Sequence, residues 1–381
     1  MVTPSFHPMI GGVESYVRGV GGELVKLGYE IDVYTPDSVL GVKIERKEEI
    51  MEGMRIHRLP VSVDLSYRLK LWPSLVGAIS ARGHDLVHVY SHDTYALFAG
   101  IAVRRGGTPL LVTTYGPFQT HSTYGFLKAR LLGAYDATMT PSIFKMCDRV
   151  LVRYPEIAAW VSSFGIPNER ISLEPSGIPP GYLDAKDGVD AREKLFGEGP
   201  ALLYLGRIAP QKGVQFAVQA MSIVKKRFPT ARLALVGPDY VGYSHFLRQR
   251  IDELGLGENV TLNEPVTDQE EESEILGACD VFLMPSSFEG FSQAVMKGMA
   301  RSKPVVVTRV GGLPYEVGYG ECGVLSEFGD ATSLANGILT LLQSRELAET
   351  MGRNGRKRAE EFTLDRLAVK LSSVYNAVMA G

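Results

Sequence analysis

The chain has 381 residues, 45% hydrophobic and 22% charged, with a formal net charge of −3; that length exceeds one ordinary core and suits two domains. No apolar run approaches the roughly 20 residues that a membrane span requires. The charge splits into 18 basic and 17 acidic residues up to Pro180 and 22 against 26 beyond it, which argues against nucleic acid as a partner, and Cys147, Cys279 and Cys322 lack the spacing of a metal clamp or disulfide framework.

Residues 1–10 have neither the basic start nor the apolar stretch of a signal peptide, so the expected setting is cytoplasmic. Residues 1–6 read as the tail of a first strand whose start would lie upstream. Gly11, Gly12, Val13 and Glu14 then open a helix over 13–27. Two glycines let the backbone approach a ligand there, and the free amides at the helix start face an anion such as a diphosphate; a plain tight turn is the alternative. Strands are expected at 30–34, 86–90, 110–113 and 149–152. His88 and His92, close to the end of the second of these, are candidates to face a ligand. The stretch 65–79, with Arg68, Lys70 and Trp72 among apolar residues, fits either peripheral contact with a membrane surface or a helix packed on the sheet.

Pro175 to Gly181 is dense in proline and glycine and reads as the linker. Beyond it the alternation is regular, with strands at 201–205, 232–236, 259–262, 281–284 and 304–307, each followed by a turn and a helix. In the stretch 213–228, Val214, Ala217, Val218, Met221 and Val224 recur at spacings of three and four, so one helix face is buried. Short, nearly all-apolar strands alternating with helices predict a doubly wound parallel sheet covered on both faces. Ligands of such sheets bind outside the carboxyl ends of the strands, and with two such domains the site is expected in the cleft between them.

Two strand-end loops of the second half carry suitable chemistry. The loop from Gly206 to Gly213 holds Arg207, a planar fork for phosphate oxygens, and Lys212, a movable point charge; solvated surface cations are the alternative. The turn Pro285-Ser286-Ser287-Phe288-Glu289-Gly290-Phe291-Ser292-Gln293 leads into a helix. Glu289 there either accepts sugar hydroxyls or caps the helix, and the amides of Phe291 to Gln293 can face phosphate or sugar oxygens.

The Gly-Gly-x-Glu loop, Asp85-Leu86-Val87-His88, Pro175-Ser176-Gly177-Ile178, the Gly-Arg loop with its lysine, Val236-Gly237-Pro238, and the Pro-Ser-x-x-Glu-Gly-Phe turn before Lys303-Pro304-Val305-Val306 occur in one order along nearly the whole chain. In this the sequence resembles family 4 of the retaining glycosyltransferases, the group 1 glycosyl transferases. The resemblance implies the GT-B fold, two Rossmann-like α/β domains facing across a cleft. An acceptor-side domain would span 1–177, a nucleotide-sugar-binding domain 178–363, and a final helix, 364–381, would pack back on the first. The implied reaction is transfer of a hexose from a UDP- or GDP-sugar to a saccharide or lipid-linked acceptor, with retention of configuration. The donor is a substrate, so no cofactor is implied, and no metal, in keeping with the absence of an Asp-x-Asp cluster.

Carried over by position, Gly11 and Gly12 would approach the donor phosphates, with Glu14 a substrate-binding residue of the same loop, and Arg207 and Lys212 would hold the diphosphate. Glu289 would contact the donor sugar, with Gly290, Phe291, Ser292 and Gln293 lining the pocket, and Pro265 and Val266 would meet the base. Two positions depart from the family. A second glutamate that binds ribose is replaced by Lys297, a donor-only cation. A histidine that contacts the donor is replaced by Tyr115, with His121 a nearby substitute. Those departures leave open a catalytically impaired nucleotide-sugar-binding or regulatory subunit; a phosphorylase or epimerase on the same fold is a third reading.

Overall fold

The computed structural model describes residues 1–9, 11–39, 42–64, 70–104, 106–117, 126–184 and 189–380. They form two units, Met1–Gly177 with Leu364–Gly381, and Ile178–Thr363. In the first unit, α1 (Gly12–Lys26) buries Tyr16, Val17, Val20 and Leu24, one apolar stripe at helical spacing. Four further helices follow, α2 (Ser74–Ser80), α3 (Thr94–Val103), α4 (Phe126–Met146) and α5 (Pro155–Ser162).

Besides two small ribbons of two-residue strands, the strands of this unit among the described residues are β1 (Asp32–Pro36), β2 (Glu48–Met51), β3 (Met54–Leu59), β4 (Val87–Tyr90), β5 (Leu110–Thr114), β6 (Arg149–Val152) and β7 (Ile171–Leu173). They pair as β1-β3-β2 and β7-β6-β5-β4, parallel except for the β2–β3 pair. Val2 joins the two groups, bridging Tyr34 and Val89 in parallel. Its N–H donates to the His88 carbonyl at 2.8 Å and its own carbonyl accepts from Tyr90 N–H at 2.9 Å. The expected first strand is therefore reduced to one bridging residue, which still closes the sheet.

The second unit has six strands, β8 (Ala201–Leu205), β9 (Arg232–Val236), β10 (Val260–Asn263), β11 (Val281–Met284), β12 (Val305–Thr308) and β13 (Gly323–Ser326). Their order is β10-β9-β8-β11-β12-β13, and every pairing is parallel. Helices α6 (Val214–Arg227), α7 (Tyr243–Glu253), α8 (Gln269–Ala278), α9 (Gln293–Ala300) and α10 (Leu313–Glu316) connect them, and α11 (Ala331–Gln343) and α12 (Arg345–Ala359) follow the last strand. Leu202, Leu203, Leu235, Phe282, Leu283, Val305, Val306 and Val307 are all buried, which is why these strands read as continuous apolar runs. Each such side chain contributes roughly 1.5–3 kcal/mol of burial.

The strand order positions the site. From β8 the chain winds outward through β9 and β10, then returns to β11 on the other flank of β8. Loops leaving the carboxyl ends of β8 and β11 therefore diverge and open a crevice, the place where parallel sheets take their ligands. The last helix, α13 (Leu364–Met379), belongs to the first unit and packs on α1, where the side chain of Leu364 fills the space beside Gly19.

Candidate functional site

The loop after β8 carries Arg207, which is exposed, and ends in a single turn, Pro210–Lys212, stopped by Gly213 in the left-handed conformation (φ 67°). A side chain at Gly213 would overlap the carbonyl oxygen of Pro285, so only glycine lets this loop lie against the one after β11. Ser287 N–H completes the contact by donating to the Gln211 carbonyl at 2.9 Å. The two loops thus form one wall on which the Lys212 ammonium donates to Glu289 Oε1 at 2.6 Å. Ser286 Oγ donates to the same oxygen at 2.7 Å.

These contacts settle what Glu289 does locally. The α9 N-cap is Ser292, whose hydroxyl accepts the Val295 N–H, while the Glu289 carboxylate turns to Lys212 and Ser286. The capping alternative for Glu289 is excluded. Gln293 begins α9, and Gly290 and Phe291 precede it partly exposed, Phe291 packing on Phe362 with ring centroids 5.5 Å apart. The two loops together therefore offer a mostly buried carboxylate, a lysine, an exposed arginine and the amides of a helix start. Such a set can hold a phosphate group and accept bonds from hydroxyls beside it.

Lys297 lies one turn further along α9. It is not a solvated cation: its ammonium lies 2.6 Å from Glu272 Oε1 on α8 and 4.9 Å from the centroid of the Tyr182 ring. Both charged side chains are mostly buried. Burial and the Glu272 carboxylate push the Tyr182 phenol well above its ordinary value. Pro265, exposed, and Val266, half-buried, lie on the segment between β10 and α8. A carboxylate is therefore present beside Lys297, delivered from a helix that the local sequence does not connect to it.

In the first unit, Gly11 is the N-cap of α1, and the Glu14 carboxylate folds back over it where a Cβ would stand. Gly12 faces open space. The Glu14 carboxylate is buried and accepts the Ser5 hydroxyl, and its charge is favoured in the first helical turn. Tyr115, just past β5, accepts a hydrogen bond from Arg153 Nη2 at 3.1 Å. Burial pushes its phenol up, and Arg153 opposes that shift.

Arg153 was not singled out by sequence, although a cation directly after the apolar run of β6 is a visible signal. It is 1% exposed, lies over the rings of Tyr16 and Tyr115 at 4.4 and 5.0 Å, and donates to the carbonyls of Glu174 and Pro175. The Glu174 side chain accepts the hydroxyls of Tyr16 and Thr113. Burial raises the Glu174 carboxyl while Arg153 opposes.

Two sequence expectations are altered, and a third falls outside the described residues. His88 belongs to the interior rather than to a ligand: it is 1% exposed, with Nδ1 2.7 Å from the Tyr375 hydroxyl and Nε2 2.7 Å from Thr113 Oγ1. Burial holds it well below its ordinary pKa, so it is a neutral ring joining β4, β5 and α13. His121 lies outside the described residues, as does Arg68. Membrane contact by the rest of the 65–79 stretch is not supported, because Trp72 is fully buried and Lys70 is buried and paired with Asp64. Among the described residues no helix is long and apolar enough to cross a membrane, and no group of three or more His, Cys, Asp or Glu side chains is arranged to hold a metal ion.

Two family models account for most of the chain: Glycosyltransferase Family 4 matches residues 10–182 and Glycosyl transferases group 1 matches residues 187–358. Mannosylfructose-phosphate synthase of Agrobacterium fabrum is 30% identical, over 96% of this chain and 87% of that protein. The GDP-mannose-dependent alpha-(1-6)-phosphatidylinositol monomannoside mannosyltransferase of Mycolicibacterium smegmatis is 27% identical, over 93% and 92%. Among solved structures, Anabaena HepE in complex with UDP aligns with a TM-score of 0.77 at 18% identity, covering 99% of this chain and 98% of that one.

Proposed function

Because this chain belongs to glycosyltransferase family 4, the group 1 glycosyl transferases of GT-B fold, we propose that it transfers a hexose from a UDP- or GDP-sugar to a saccharide or lipid-linked acceptor, with retention of configuration. The observation that carries this reading is the Lys212–Glu289 pair at the reversal of the strand order, with exposed Arg207 on the same loop as Lys212. Arg207 and Lys212 hold the diphosphate and neutralise it as it leaves. Glu289 accepts donor-sugar hydroxyls, and the amides of Phe291, Ser292 and Gln293 line the sugar-phosphate pocket. Gly12, where space is open, lets the α1 start approach the phosphates.

In this mechanism the acceptor hydroxyl attacks on the face from which the diphosphate departs. The bond to the anomeric carbon forms from the acceptor oxygen as the bond to the leaving phosphate oxygen breaks, and that phosphate takes the acceptor proton. No enzyme nucleophile is needed; the chain supplies position and charge stabilisation. At the nucleoside end, the Glu272 carboxylate held by Lys297 supplies the acceptor group for ribose hydroxyls that Lys297 alone lacks. Tyr115, fixed by Arg153, donates toward the donor.

The second reading, a nucleotide-sugar-binding or regulatory subunit, draws on Lys297 and Tyr115. Glu272 weighs against it, since its carboxylate stands beside Lys297 from α8 and can serve in place of the missing one. Release of free nucleoside diphosphate from a nucleotide sugar in the presence of acceptor separates the two. Turnover supports the transferase; saturable binding without turnover supports the subunit.

A further inference from the structure

Glu316 ends α10, and its side chain is 0% exposed. Its Oε2 accepts the N–H of Ser292 at 2.9 Å, while Oε1 has no hydrogen-bond partner among the described residues. A second bond joins the same two segments, from Gly312 N–H to the Glu289 carbonyl at 2.8 Å. Arg358 of α12 closes the end of α10 by donating to the carbonyls of Tyr315 and Glu316, at 2.6 and 2.8 Å. Its guanidinium thus serves the backbone rather than the carboxyl. An ionised Glu316 would be a buried anion without an ion-pair partner, near the carboxylate of Glu289, and that arrangement is costly.

We propose that Glu316 is a positioning residue for transfer: it stands as a neutral carboxylic acid whose Oε2 fixes the Ser292 amide, and through it the 289–293 turn that presents Glu289 and the start of α9. Oε1 carries the proton. Burial raises this carboxyl well above the usual carboxylate range; the Ser292 N–H and Arg358 oppose that, and Glu289 reinforces it. Those two charged side chains, Glu289 on the loop after β11 and Arg358 on α12, act on it. The inference rests on the function proposed above, but its core, a neutral acid bracing the turn, is measurable without turnover.

The test compares Glu316→Gln and Glu316→Ala with the wild type in three ways: transfer rate against pH, amide exchange of residues 289–296, and unfolding stability against pH. Glutamine reproduces the neutral acid, with an oxygen for Ser292 N–H and an N–H in place of the hydroxyl. The expected result is that Glu316→Gln keeps kcat/KM within about threefold and keeps exchange protection. Glu316→Ala should lose about tenfold or more, mainly in kcat, and exchange faster at 289–296.

The sign for stability follows from the raised carboxyl: its favourable contribution is complete below the unfolded value near pH 4.3 and is lost as pH rises through the folded one. Glu316→Gln should therefore gain stability relative to the wild type as pH rises, and lack any alkaline limb in rate that Glu316 ionisation causes. Loss of protection in Glu316→Gln equal to that in Glu316→Ala, or a stability difference that does not grow with pH, overturns the proposal. Should Glu316→Ala not fold, Glu316→Gln alone decides on the same readouts. Absence of turnover in the wild type with every donor would sink the transferase reading, while exchange and stability still decide whether Glu316 is a neutral brace.

Discussion

Lys212 Nζ lies 2.6 Å from Glu289 Oε1, tying the loop after β8 to the loop after β11 across the reversal of the strand order. Both side chains are mostly buried, 17% and 11% exposed, so each charge depends on the other. A diphosphate drawn to Lys212 and a sugar hydroxyl drawn to Glu289 would compete with this bond. Lys212→Ala and Glu289→Gln should each lower kcat/KM for transfer by about a hundredfold or more, and the double variant should cost less than the product of the two. Strict multiplicativity would show that the pair does not act as a unit.

Gly311 has φ 52°, and a side chain there would overlap the carbonyl oxygen of Glu289. Gly311→Ala is expected to destabilise the fold by about 1–3 kcal/mol through strain and to displace the turn that bears Glu289, so both thermal stability and transfer fall. Gly12→Ala supplies the contrast, since its Cβ would meet nothing within 4 Å. That variant should keep or slightly raise stability, as an alanine within a helix does, while weakening nucleotide-sugar binding. Unchanged binding would remove Gly12 from the site.

Lys297 and Glu272 form a pair that can be reversed. Lys297→Glu alone sets two mostly buried carboxylates against each other and should cost about 1–3 kcal/mol. Adding Glu272→Lys restores opposite charges, so the double variant should recover most of that loss in a denaturation experiment. If the pair supplies the carboxylate for ribose, the double variant should also recover nucleotide binding, because it moves the carboxylate by one helix.

His88 gives a pH prediction of defined sign. Its pKa is lowered in the folded chain by burial, so the unfolded chain binds the extra proton. Its unfavourable effect is absent above the unfolded value near pH 6.5 and grows as pH falls toward the folded value. His88→Asn should lower stability overall, yet flatten the acid side of the stability profile by up to about 1.4 kcal/mol per pH unit. An identical slope in variant and wild type would contradict the buried, neutral ring.

How much of this was legible in sequence follows from the range of the interactions. β8, β9 and β11 are visible because each is a short apolar run between turn residues, and a sheet covered on both faces needs nothing more. β1 was expected two residues too early, since 30–34 and 32–36 share most of one mixed segment. The cations and carboxylate of the second unit stand out because each follows a strand directly. Sequence left the role of Glu289 open between capping and binding, because Ser292, three residues on, can also cap; only the direction of the two side chains decides.

Arg153 and Glu272 were missed for another reason: their partners, Glu174 and Lys297, are 21 and 25 residues away, beyond any local pattern. His88 was misread because strand-end position implies exposure only when one sheet face is open, and all four residues of β4 are buried.

The most direct test is a thermal-shift titration of the purified chain with UDP, GDP, ADP and their common sugars, paired with Arg207→Ala and Lys212→Ala. A ligand that binds only the folded state stabilises it with the logarithm of concentration over Kd. The expected result is a selective rise with one nucleotide and its sugars, lost in both variants when each is measured against its own ligand-free melting temperature. No rise with any nucleotide at millimolar concentration, or an equal rise in the variants, would contradict a donor site at the reversal of the sheet.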